Sequence, residues 1–149
     1  MSEHKVTLSW KRTSDDFSYE KYTRNHNWAF DGGVTVNASA APAYRGDPSR
    51  VDPEEAFVAA LSSCHMLTFL ALASRKGFVV DSYTDHAVGI LSKNETARLS
   101  VTTVTLNPVI SFSGSRLPTR GEIEELHHRS HDECFIANSV KTDVRVNWE

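Results

Sequence analysis

Val6, Leu8 and Trp10 alternate with Lys5, Thr7, Ser9 and Lys11, and a period of two is that of a half-buried strand. A second strand is expected over residues 17–23. Residues 27–30 run into Asp31-Gly32-Gly33 and then Val34, Thr35 and Val36, the pattern of a hairpin whose turn is built from Asp and Gly. The first third therefore reads as an antiparallel sheet. Residues 37–52 turn to Ala, Pro, Gly, Ser and Asp and read as a loop, because Ala41-Pro42 and Asp47-Pro48 disfavour helix. The loop ends at Asp52-Pro53-Glu54-Glu55. Asp suits an N-cap, Pro the first helical position, and Glu the first turn beside the positive end of the helix dipole. Phe57, Leu61, Cys64, Leu67 or Thr68, and Ala71 or Leu72 then recur at steps of three and four. They define an apolar helical face, with Cys64 midway along it, up to a stop at Gly77.

Residues 78–82, 87–92, 99–107 and 109–112 carry alternating or β-branched side chains and are expected as strands, with a turn at Lys93-Asn94-Glu95. Thr119, followed three residues later by Glu122, forms a capping-box signature for a second helix through Ile123, Leu126 and His127. Cys134 falls just beyond it. A short helix over 135–140 and a closing strand over 142–148, with Val144, Val146 and Trp148 alternating, complete the chain. No repeat or low-complexity tract marks a boundary, so a single α+β domain over residues 1–149 is expected.

Composition adds exclusions. The chain has 149 residues, 40% hydrophobic and 23% charged, which fits one domain with one core. Sixteen Lys and Arg against nineteen Asp and Glu leave a net charge of −3, which offers no positive excess to grip nucleic acid. The apolar stretch over residues 56–73 is broken by Ser62, Ser63, His65 and Thr68, and residues 1–10 have no apolar signal-peptide centre. No membrane association and a cytoplasmic location are therefore expected.

Two cysteines, Cys64 and Cys134, lie 70 positions apart. In a reducing compartment such a pair is either inert or catalytic, and inert burial is the plainer reading for cysteines in general. His65 follows Cys64 directly, about 100° around the helix, so the two form no ready Cys–His dyad. A reactive buried thiol needs a cation nearby, and Arg24 is one candidate. Glu54 lies about 15 Å along the helix axis from Cys64. It is too far to act on the sulfur and is suited either to orienting an Arg or simply to complementing the helix dipole. His127, His131 and Cys134 have spacings that a zinc site uses. No further Cys or His pair completes a closed ligand set, and no metal or other cofactor is assigned.

With both cysteines in view, the chain resembles the OsmC/Ohr family, the osmotically inducible and organic hydroperoxide resistance proteins. The resemblance rests on Asp52-Pro53-Glu54-Glu55 followed by the small-residue run to Cys64, and on His131-Asp132-Glu133-Cys134. The order of strands and helices agrees as well. Two departures place the chain in an OsmC-like subgroup: Phe135 after Cys134 where many members carry Pro, and Ser62-Ser63 before Cys64 where small apolar residues are common. The resemblance implies an OsmC-like α+β fold with antiparallel sheets around a long central helix, in an intertwined homodimer. It implies a thiol-dependent peroxidase for organic hydroperoxides, with hydrogen peroxide a second candidate substrate. Carried over by position, Cys64 is the peroxidatic thiol, Cys134 the resolving thiol, and Glu54 the carboxylate that orients the active-site Arg. Arg24 fits that Arg best, with Arg45 and Arg50 as competitors. An external dithiol is implied as reductant. Two other functions stand beside this one: a small-ligand or metal-binding module, and a thiol redox sensor.

Overall fold

Asp52 begins the longest element by closing a reciprocal cap. Its Oδ1 accepts from the Glu55 N–H at 2.7 Å, while its own N–H donates to Glu55 Oε2 at 3.2 Å. Two of the four unpaired N–H groups at the helix start are satisfied by this Asp/Glu version of the capping box. The helix α1 that follows runs Pro53–Arg75 in the computed structural model, which describes residues 1–148. Gly77, at φ +77°, provides the left-handed stop expected from the sequence. Contacts divide the chain into two units, Met1–Ala56 and Phe57 onward.

The first unit holds an antiparallel sheet of β1 (Val6–Ser9), β2 (His26–Phe30) and β3 (Thr35–Ala38), in that order. Val6 pairs with Phe30, and Trp28 with Val36. The Asp31-Gly32-Gly33 turn closes the hairpin as expected, with the Gly33 N–H donating to the Phe30 carbonyl. The strand expected over residues 17–23 is a turn instead. Asp16 Oδ1 caps the Ser18 N–H at 2.8 Å, and the Lys21 and Tyr22 N–H groups both donate to the Ser18 carbonyl. Local side-chain capping thus competes successfully with strand pairing. The loop expected over 37–52 contains a short 3-10 turn, Pro42–Tyr44, and β3 extends into it as far as Ala38.

The second unit contains the rest of α1, then β4 (Val79–Asp85), β5 (Val88–Lys93), β6 (Leu99–Leu106), β7 (Pro108–Ser113), α2 (Arg120–Glu133) and β8 (Asp143–Val146). β4 pairs with β7, and a separate sheet has the order β5-β6-β8. All these pairings are antiparallel except β6 with β8, which is parallel. α2 starts on the expected capping box between Thr119 and Glu122. The short helix expected over 135–140 narrows to a 3-10 turn, Ala137–Ser139.

Two apolar clusters fix α1 in this unit. Leu61 packs with Val104 and Leu106, and Phe69, Leu72 and Ala73 pack with Phe78 and Leu126 over Tyr83, Ile110 and Phe112. Gly89 on β5 allows a close approach to α1, because a Cβ there would stand 2.5 Å from Val58 Cγ2. By length and composition α1 would pass for a membrane span, at mean hydropathy 1.8. Its Leu61–His65–Phe69–Leu72 face is nevertheless packed inside the protein, and it carries a buried histidine.

Candidate active site

The packing rotates α1 relative to the face read from its sequence. Leu61, His65, Phe69, Leu72 and Ala73 are the buried positions, while Cys64 is half-buried and Leu67 is exposed. Phe69 buries far more apolar surface than Cys64 or Thr68 can, so it sets the rotation. Cys64 therefore sits at the edge of the buried face.

Cys134 caps the C-terminus of α2, its N–H donating to the His131 carbonyl at 3.3 Å. Its sulfur accepts from the Ala137 N–H at 3.4 Å and lies close enough to the Cys64 thiol for the two to influence each other's protonation. Both thiols are free. Cys134 is 1% exposed, and burial followed by the contact with Cys64 pushes its thiol up to about 11. It therefore remains protonated near neutral pH.

Two supports for this geometry are absent from the sequence reading. Ser62 Oγ donates to Asp85 Oδ2 at 2.5 Å, and Asp85 Oδ1 accepts the Asn107 N–H at 2.6 Å. The hydroxyl that departs from the family pattern thus ties α1 to β4 and to the turn between β6 and β7. Next to Cys64, His65 Nε2 meets His127 Nδ1 of α2 at 3.0 Å, with the rings 5.4 Å apart and nearly parallel. Both imidazoles are almost fully buried, and desolvation lowers each to about 4. The four-residue spacing Leu61, His65, Phe69 was the signal available for His65. Nothing local marks His127 as its partner.

In the first unit, the Arg24 guanidinium donates to the Tyr19 and Tyr22 carbonyls and lies 3.8 Å from the centroid of the Tyr22 ring. Trp10, Phe17, Tyr22 and Arg24 are among the residues lining a cavity of about 530 Å³. Glu54 is half-buried in the first turn of α1. Among the described residues no ion pair joins it to Arg24. Arg45 stands over the Tyr19 ring at 5.6 Å, and Arg50 pairs with Asp47 at 3.5 Å. The trio His127, His131 and Cys134 does not assemble for metal: among the described residues no group of three or more His, Cys, Asp or Glu side chains is placed to hold an ion.

No curated protein matches this chain. Among solved structures, an OsmC-like protein of unknown function from Vibrio cholerae is 51% identical over the whole of both chains, with a TM-score of 0.96. An organic hydroperoxide resistance protein from Legionella pneumophila, 15% identical, covers 98% of this chain and 96% of its own at a TM-score of 0.73. A second organic hydroperoxide resistance protein, from Bacillus subtilis, is 19% identical, covers 99% and 98%, and scores 0.67. At such identities the last two speak for the fold. The model of the OsmC-like protein family matches residues 46–149, a span that takes in α1, both thiols and every strand of the second unit, and the chain accordingly belongs to the OsmC-like family.

Proposed function

We propose that this protein is a thiol-dependent peroxidase that reduces organic hydroperoxides. The observation that carries the proposal is the adjacency of two free thiols of unequal exposure, Cys64 half-buried and Cys134 buried. The Cys64 thiolate attacks the terminal peroxide oxygen. An S–O bond forms, the O–O bond breaks, and the departing oxygen leaves as an alcohol after protonation. The Cys134 thiol then attacks the Cys64 sulfenic sulfur, and its proton leaves with the sulfenic hydroxyl as water. An external dithiol reduces the resulting disulfide by exchange and is itself oxidised.

Arg24 is the cation of this scheme. The Tyr19 and Tyr22 carbonyls hold its guanidinium, and no carboxylate among the described residues neutralises it. The resemblance assigns its charge to stabilising the thiolate and the charge on the departing oxygen. The resemblance assigns Glu54 to orienting it, although here the two carbonyls rather than Glu54 hold the guanidinium. We assign the working form to a homodimer in the cytoplasm. Leu8, Val34, Leu67, Val109 and Phe135 are each at least 60% exposed and offer apolar surface that such an interface could cover. Light scattering is expected to give about 33 kDa, twice the 16.6 kDa chain, and a 16.6 kDa species would exclude the dimer.

The proposed chemistry is tested by adding one equivalent of cumene hydroperoxide to the reduced protein. Both thiols are expected to disappear, with a mass decrease of about 2 Da per chain for the two hydrogens lost. Survival of both thiols in folded protein would end the peroxidase reading.

A further inference from the structure

Asp85 is a half-buried carboxylate that the peroxide chemistry leaves unused, and among the described residues no ion pair reaches it. An anion partly withdrawn from water without a cation has to be held by hydrogen bonds. Both of its oxygens are so held: Oδ2 accepts from Ser62 Oγ at 2.5 Å, and Oδ1 accepts from the Asn107 N–H at 2.6 Å. Bonds to a charged acceptor are short and directional. These two join the turn of α1 that carries Cys64, the last residue of β4, and the end of β6, because Asn107 follows Leu106.

Cys134 is referred to the same end of β6. Ile136 and Ala137 pack against the cluster of Leu61, Val104 and Leu106, and the Ala137 N–H donates to the Cys134 sulfur at 3.4 Å. Both thiols are thus placed from one frame. Cys134 is held there by apolar contacts and a backbone bond, and Cys64 by the packing of Leu61 and the Ser62–Asp85 bond. The two holds on α1 differ in kind. Apolar packing at Leu61 has no preferred direction, whereas the bond to Asp85 fixes how far the helix is turned and how far along its axis it sits. Ser62 precedes Cys64 by about 3 Å along that axis and about 200° around it. Asp85 therefore acts on the sulfur only through the helix.

We propose that Asp85 is a positioning residue: through Ser62 it sets the rotation and axial position of α1 that bring the Cys64 thiol to Cys134. The proposal rests on reading the two thiols as a disulfide-forming pair, and its test needs no peroxide. The full-length protein is equilibrated in mixtures of reduced and oxidised glutathione. Each Cys64–Cys134 disulfide that forms oxidises two protein thiols and reduces one oxidised glutathione to two thiols, so the equilibrium reports the effective concentration of one protein thiol at the other. Ser62→Ala removes the donor and is expected to lower that concentration at least about tenfold, because small misplacements of paired groups have effects of this order. Asp85→Asn offers one carbonyl oxygen to two donors and is expected to lower it similarly. The double variant is expected within about twofold of the lower single variant, as for two residues in one bond. Ser62→Thr keeps the hydroxyl and is expected within about threefold of wild type. Phe78→Leu, in the separate cluster around Phe69, is expected to lower Tm and leave the effective concentration unchanged, which separates positioning from stability. The expected pattern in a protein that ignores cumene hydroperoxide supports the role of Asp85 while ending the peroxidase reading. Three results would each overturn the proposal: Ser62→Ala and Asp85→Asn within about threefold of wild type, Phe78→Leu falling as far as they do, or no Cys64–Cys134 disulfide in the wild-type protein.

Discussion

Cys64→Ser will consume no organic hydroperoxide above the uncatalysed rate, whereas Cys134→Ser will consume one equivalent per chain and then stop. The asymmetry follows from the environments of the two sulfurs. Cys64 is half-buried at the edge of the packed face of α1. Cys134 is 1% exposed, is engaged by the Ala137 N–H, and holds its proton up to about pH 11. A protonated, buried thiol is a poor first nucleophile toward a peroxide. It is a sound second one, because attack on a neighbouring sulfenic acid needs only contact and carries its proton away as water. Removing the nucleophile is therefore expected to lower peroxide consumption by on the order of 10³-fold or more. Cys134→Ser is expected to keep the first turnover and accumulate a species about 16 Da heavier, the trapped Cys64 sulfenic acid. Stopped-flow peroxide consumption with intact mass separates the cases. If Cys64→Ser reacts at the wild-type rate, or the oxygen adduct appears on Cys134, the assigned roles are exchanged or void.

The starts of both helices were legible because capping is local chemistry. Asp52 with Glu55, and Thr119 with Glu122, each close a box within four residues. The alternating strands were legible for the same reason. What escaped depends on partners distant in sequence. Residues 17–23 carry aromatic residues that suit a strand, yet the Asp16 cap on Ser18 turns the chain, and Trp10, Phe17 and Tyr22 cluster around the bend, with ring centroids 5.0–6.3 Å apart. The parallel pairing of β8 with β6 spans 40 residues from Thr103 to Asp143 and leaves no trace in the pattern of either strand. The buried face of α1 was misread by one position because periodicity weights Cys64 and His65 by ordinary hydrophobicity. His65 goes inside because His127 meets it there. The candidate thiols came from resemblance, and their adjacency is a tertiary fact. Ser62 read as a departure from a family pattern, and Asp85, 23 residues on, is what accounts for it.

Acid will destabilise this protein over the window from about pH 6.5 down to about pH 4, and the His65–His127 pair will be the main cause. Both imidazoles are buried, joined at 3.0 Å, and lowered to about 4 chiefly by desolvation. In the unfolded chain each would titrate near 6.5. Between those values the unfolded state binds more protons than the folded one, so stability is complete above about pH 6.5, falls as the pH drops, and levels off below about pH 4. A shift of that size corresponds to roughly 3 kcal/mol for one histidine, or a fall in Tm on the order of 10 °C for a chain of this length. Two variants separate this cause from general acid denaturation. His127→Leu leaves His65 Nε2 unpaired in the interior and is expected to cost about 1–3 kcal/mol even at pH 7.5. His65→Leu combined with His127→Leu replaces both partners with apolar groups of similar size. It is expected to lie within about 1 kcal/mol of wild type at pH 7.5 and to be the more stable of the two at pH 4.5. Thermal melts of the three proteins across this range decide the matter. If the double variant loses as much Tm as wild type between pH 7.5 and 4.5, the acid sensitivity lies elsewhere. If it does not, the imidazole pair joins α1 to α2 at full strength only while both rings are neutral.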